Sequence, residues 1–526
     1  MPAAAAVADE LEARLRPLSV AVARAWWDAS VDAGEETERR RVEAELARSA
    51  LLAEPEAFAA IEGALAERPA EPLLQRRLEL LRDAFLPHQL PEELRRRVVE
   101  LEASVDARFA RHRGVVDGRE VDDNEIRRLL RTSEDEDERR AAWEASKTVG
   151  AAVADDVREL ARLRNEGARR LGFRDYFALA LATSELDETR LFETLDELER
   201  VTAGPFARWK AALDERLAAR FGVPPGELAP WHYEDPFFQE VPVAGGVELD
   251  HVFAGRDVPE LARETFSRVG LETAPILARS DLYPRPGKSQ HAFCIDVDRE
   301  GDVRVLANVA DDRYWMETML HELGHGAFDL GIDRDLPWLL RSTHLVTTEG
   351  IAILTGGLVG DAGWLERVAG VDGAEAARLD APLRQARAAE LALFTRWVLV
   401  MTTFERGLYA VPEGDHDARW WELVERFQGV RPPAGRRAPD WAAKIHVAVA
   451  PVYYHTYLYG QLVAAQLRAA LERACGGLVD RPEAGAFLGE RIFRPGQSVR
   501  WDRLLESATG APLGAGAFAR ELAPLA

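Results

Sequence analysis

The run MLHELGHG, residues 319–326, sets His321, Glu322 and His325 at a spacing suited to metal chemistry. Two histidines four residues apart project from one face of a helix, so both imidazoles can reach a single cation. A catalytic zinc takes three protein ligands and keeps a further position open. Zinc held there acidifies a water and polarises a carbonyl. Glu322, one step around the helix, is placed to take a proton from that water and pass it to a leaving amine. The motif alone leaves a second reading open, a histidine pair on a surface or core face.

The neighbouring residues narrow the choice. Tyr314, Trp315, Met319 and Leu320 recur at helical spacing, which sets the motif on an amphipathic helix. Gly324 and Gly326 flank His325. Glycine costs up to ~1 kcal/mol inside a helix, so two of them predict close packing against another helix or a substrate. The longer pattern HExxHxxGxxH is not met, because Phe328 and Gly331 stand at its Gly and third His positions. A third ligand is available in THLVTTEGIAILTGGL, where Glu349 lies 24 residues beyond His325. A loop containing Pro337 can turn the chain back, so that an antiparallel helix delivers Glu349 to the metal. His344 is the rival ligand, with a capping or buried role as its alternative.

The elements that must position these residues are mostly helical. Residues 1 to about 220 carry apolar positions at i, i+3, i+4 and i+7 with charges between, and read as helix after helix. Asp187 is the expected N-cap of one of them. The segment 222–250 is rich in Pro, Gly and aromatics and reads as a loop ordered by Trp231, His232, Tyr233, Phe237 and Phe238. Those side chains either pack or line a cleft. Residues 291–309 are the one convincing β region, two neighbouring strands around DREGD. Helices resume at about residue 312 and run to near 475, with no break that reads as an independent domain boundary.

Composition bounds the function. A chain of 526 residues can bury a large core, and a net charge of −23 argues against nucleic acid and anionic membranes as partners. Cys294 and Cys475 make neither a disulfide framework nor a thiolate zinc finger, which fits a reducing cytosol. The N-terminus lacks the pattern of a signal peptide, and no uncharged apolar run approaches the length of a membrane span. Only four lysines occur, Lys147, Lys210, Lys288 and Lys444, against many arginines, so each merits attention.

With these residues in place, the chain resembles a gluzincin peptidase. It is similar to the angiotensin-converting-enzyme family of peptidyl-dipeptidases and to the related thimet oligopeptidase and oligoendopeptidase group. HELGH followed by Glu349 resembles their zinc layout, with a spacing like that of the converting enzymes. RLRNEGARRLGFRDYFAL, residues 162–179, is similar to a helix and turn ahead of the zinc site in both groups. KSQHAFCIDVD resembles the edge strand that holds substrate backbone, which implies His291 and Ala292 as substrate contacts. A strand-end histidine bonded to backbone is the other reading of His291. The block 440–467 resembles the family's Lys-x-His ahead of a Tyr-rich helix. That likeness implies His446 and Tyr457 as donors to the oxyanion, with Tyr454 as second candidate, and Lys444 as the anchor of a substrate's C-terminal carboxylate. The His-to-Tyr spacing is one residue longer than in the converting enzymes. Ile353 stands where those enzymes place an Asp that orients a zinc histidine, so another carboxylate is expected to do that work. The resemblance covers roughly residues 150–520, and the first 130 match only in being helical.

The expectation is therefore a mostly α protein, with two helical lobes flanking a deep substrate channel and a small β-sheet beside the zinc helix. Residues 1–150 would form an N-terminal helical part and 151–526 the peptidase part of one unit built of two interleaved lobes. One Zn2+ per chain is expected on His321, His325 and Glu349, with Glu322 as base and an oligopeptide as substrate. The expected activity is that of a cytoplasmic peptidyl-dipeptidase. An oligoendopeptidase is the alternative, and a helical binding or scaffold protein with a vestigial metal site is the distant one.

Overall fold

The computed structural model describes residues 3–242 and 247–525. The expected loop over 222–250 therefore includes four residues outside the described ones. Helices dominate the chain, as expected for a mostly α protein. Two antiparallel hairpins interrupt them, β1 (Gly114–Val116) with β2 (Arg119–Val121), and β3 (Phe293–Asp296) with β4 (Val303–Leu306). The second was expected. The first corrects the reading of an unbroken helical run to residue 220. Its turn is Asp117-Gly118, both at positive φ (51° and 74°), the backbone that a two-residue hairpin needs.

The chain divides into two compact units, each assembled from separated segments. The first comprises 1–89, 247–384 and 459–518, and the second 90–246, 385–458 and 519–526. Residue 150 lies inside the helix Glu136–Arg170 of the second unit.

In the first unit, four amphipathic helices between Ala4 and Phe85 bury Leu11, Leu15, Ile61, Leu78 and Phe85 in a common core. Trp338 and Leu339 join that core. Glu12 fixes the loop before Glu349 by accepting the Trp338 backbone N–H at 3.0 Å. The motif helix spans Arg313–Gly331, capped by Asp312, whose carboxylate accepts the Trp315 N–H. Its inner face buries Met316, Met319, Leu320, Leu323 and Phe328. The next long helix, Leu345–Gly356, starts at His344, whose Nδ1 accepts the Val346 N–H at 3.2 Å.

In the second unit, the aromatic loop is packed except at Phe237, which lines a cavity. Trp231, His232, Tyr233 and Phe238 are buried. The helix Glu136–Arg170 pins the loop through donors: Arg139 to Trp231 O, and Trp143 and Lys147 to Pro236 O. Asp187 caps the helix Glu188–Phe221 by accepting the Arg190 N–H. All four lysines are buried, at 4 to 8% exposure, across the two units. Each is held by acceptors: Lys210 by Asp214, Lys288 by Asp281 and carbonyls, Lys147 by Pro236 O, and Lys444 by Gln239.

Candidate metal centre and active site

The metal site belongs wholly to the first unit. Helical spacing brings the His321 and His325 rings to 4.9 Å between centroids, at 80° to each other. Gly324, between them, meets the helix Leu345–Gly356 at close range. A Cβ there would lie 2.3 Å from Thr355 Oγ1 and 3.0 Å from the Ala352 Cα, so only glycine admits this approach. Thr355 ties the two helices further by donating to Leu320 O at 2.8 Å. Glu349, on the second helix, then reaches the histidines, with its Oε2 3.9 Å from His321 Nε2. One ligand atom from each of His321, His325 and Glu349 fits within 4.8 Å of the others. Among the described residues it is the one such cluster.

The chemistry of these donors suits a divalent cation. Burial holds both imidazoles in the neutral, ligating form, lowering His321 to about 4 and His325 to about 3. His325 Nδ1 lies 2.6 Å from Thr348 Oγ1. With the proton on Nδ1, that bond fixes the ring and frees Nε2 for a metal. The expected orienting carboxylate is thus replaced, at this histidine, by a hydroxyl one residue before Glu349. Burial also raises the Glu349 carboxyl to about 6. His344 is a capping residue stacked on Trp501, with centroids 5.6 Å apart and planes at 20°, as its alternative reading held.

Glu322 is buried, and its carboxyl is raised to about 8 by burial and by the charge of Glu349. The backbone N–H of Cys294 opposes that rise by hydrogen bonding to it. Strand pairing explains why this N–H is free to do so. Val297 donates to Asp302 O across the hairpin, and the register pairs Ile295 with Arg304 and Phe293 with Leu306. Backbone groups alternate along an antiparallel strand. Phe293 and Ile295 therefore turn theirs to β4, while Cys294 turns its own to the open side. Gly326 lets the motif helix come close to this strand, since a Cβ there would lie 3.3 Å from Cys294 Sγ. His291, just before the strand, is exposed.

The other expected residues gather in the second unit. Lys444 Nζ donates to Gln239 Oε1 at 2.8 Å and lies 5.3, 5.4 and 5.5 Å from the ring centroids of Phe237, Trp397 and Tyr454. Burial lowers its ammonium to about 8. The His446 ring sits 4.9 Å from that of Tyr454, and its buried Nδ1 has no hydrogen-bond partner among the described residues. Burial, then the charge of Lys444, lowers this imidazole to about 4. Tyr454 is buried, which pushes its phenol up, and its ring meets Tyr457 at 5.7 Å. Tyr457 is half-buried against Tyr453, at 5.1 Å and 82°. Sequence reasoning missed Thr348, the Cys294 N–H and Gln239. Thr348 was in view as the neighbour of Glu349, whereas nothing in the aromatic loop singled out Gln239.

Comparison with known proteins adds a second line of evidence. The family model for angiotensin-converting enzyme, Peptidase_M2, matches residues 2–204. The model for peptidase family M3 matches residues 276–524, which include the whole His321/His325/Glu349 cluster. Over these two stretches the chain is similar to the angiotensin-converting-enzyme and M3 zinc metallopeptidases. Within this group it is 24% identical over 234 residues to an angiotensin-converting enzyme of Theromyzon tessulatum, across 42% of this chain and 38% of that relative. It is 28% identical over 113 residues to the angiotensin-converting enzyme of Rattus norvegicus, across 20% of this chain and 8% of the relative. The chain thus spans well under two thirds of the curated relatives it matches. The metallopeptidase likeness also reaches residues 2–204, which corrects the expectation that the first 130 residues match only in being helical.

Proposed function

We propose that the protein is a zinc peptidase that removes dipeptides from the C-termini of oligopeptides. The observation that carries the hydrolytic reading is the convergence of His321, His325 and Glu349, with Glu322 beside them and held by the Cys294 N–H. One zinc ion on these three ligands would supply Lewis-acid polarisation of the scissile carbonyl. Glu322 takes the proton of the attacking water and returns it to the leaving amine. Burial, which favours the protonated form of Glu322, suits the half of that task in which it carries the proton. Ala292, just ahead of β3, receives substrate backbone as an added strand, with His291 beside it. His446 and Tyr457 donate to the developing oxyanion, with Tyr454 as the second candidate. Such donors are worth several kcal/mol when preorganised.

Lys444 supports the dipeptidase mode. A buried ammonium with a single neutral hydrogen-bond acceptor among the described residues favours an added carboxylate. Internal cleavage, as an oligoendopeptidase, is the second reading. Peptides with free and with amidated C-termini separate the two. Cleavage of the free acid alone is expected, and equal cleavage of both would sink the dipeptidase reading. We also assign the protein to the cytosol, in keeping with two cysteines that are both free.

A further inference from the structure

Lys444 lines a cavity of ≈ 320 Å³ within the second unit. That volume lies in the range of small-ligand pockets, ~300–1,000 Å³. Its walls include Phe237, Asp106, His112, Asp123 and Arg127. Their charges are unevenly compensated. Arg127 is occupied by Glu240 at 3.3 Å and Asp235 at 3.7 Å. His112 is bonded to Thr148 at 2.8 Å, and burial lowers its imidazole against the opposing charge of Asp123. Asp106 and Asp123, from two different helices, have no ion pair or side-chain hydrogen bond among the described residues. Lys444 is 8% exposed and uses one of its three donors, on Gln239. The cavity therefore pairs a buried cation that uses one of its donors with two exposed carboxylates that hold no ion pair among the described residues.

We propose that this cavity receives the last residue of a peptide, with Lys444 taking the α-carboxylate and Asp106 and Asp123 selecting a basic side chain. The substrates would be oligopeptides ending in arginine or lysine. This rests on the dipeptidase reading of Lys444 and names the substrate class for it. Zwitterionic recognition of this kind uses opposite charges at a fixed separation, which a chain end bearing arginine or lysine supplies and one ending in leucine or glutamate does not.

Calorimetry on the zinc-loaded Glu322→Gln protein tests it without turnover, using the dipeptides Ala-Arg, Ala-Leu and Ala-Glu and the amide of Ala-Arg. Ala-Arg is expected to bind about fivefold more tightly than Ala-Leu, with Ala-Glu weakest. The doubly substituted Asp106→Asn/Asp123→Asn protein should bind Ala-Arg and Ala-Leu alike. Equal affinities in the parent, or a preference for arginine that survives the double substitution, would overturn the basic-residue selection. Equal binding of Ala-Arg and its amide would instead remove Lys444 as carboxylate anchor, and the dipeptidase reading with it. The two failures are therefore distinct.

Discussion

Glu322 and Thr348 divide the work at the metal site between proton transfer and ligand orientation, so their variants should fail differently. Glu322→Gln is expected to lower kcat by about 10²–10⁴-fold while the protein retains its zinc, measured by elemental analysis. Substantial activity in that variant would remove Glu322 as the base. Thr348→Val removes the acceptor 2.6 Å from His325 Nδ1. It should weaken zinc about 10–100-fold in a chelator competition, with kcat at saturating zinc less affected. Lys444 gives the pH dependence. Its ammonium, lowered from 10.5 to about 8 by burial, is charged below that pH and neutral above it. The KM of a free-acid peptide should therefore rise about tenfold between pH 7 and pH 9, following the loss of the charged fraction. The Ki of an amidated peptide should stay level over the same range.

At the scale of elements, the two ligand-bearing helices are spaced by Gly324. Gly324→Ala forces them apart, because its methyl would meet the Ala352 backbone as well as Thr355. Overpacking of this kind costs ~1–3 kcal/mol, and it moves Glu349 relative to the histidines. Both Tm and zinc affinity should fall, and an unchanged affinity would show that the site tolerates the shift. These two helices were legible in the sequence because apolar spacing and the HExxH run fell on the same residues. β3 and β4 were legible from their β-branched and aromatic content. The hairpin of β1 and β2 was passed over although Asp117-Gly118 announces its turn, since strands of three residues give no alternation to detect. The role of Thr348 was missed for another reason. Carboxylates were sought as partners for the zinc histidines, and a hydroxyl on the adjacent residue meets the same geometric need.

The division into two units is a matter of long-range packing. Periodicity reports local structure, whereas each unit joins three segments far apart in the chain through packing that no local pattern records. Within the first unit, the metal should act as a cross-link between two helices. Removal of zinc by a chelator is expected to lower Tm, and zinc at 1,000 times its Kd should restore about 4 kcal/mol. Scanning calorimetry with and without chelator reads this directly. An unchanged Tm would place the metal outside the folded core.

The burial of all four lysines has a practical consequence. The positive surface of this protein is made of arginine, and acylating reagents such as succinimidyl esters attack amines, not guanidinium groups. The folded chain should therefore accept almost no label on its side chains, while denaturant exposes four reactive sites. Mass spectrometry after a brief pulse of such a reagent would count unfolded molecules one by one, turning the scarcity of lysine into a built-in gauge of the folded fraction.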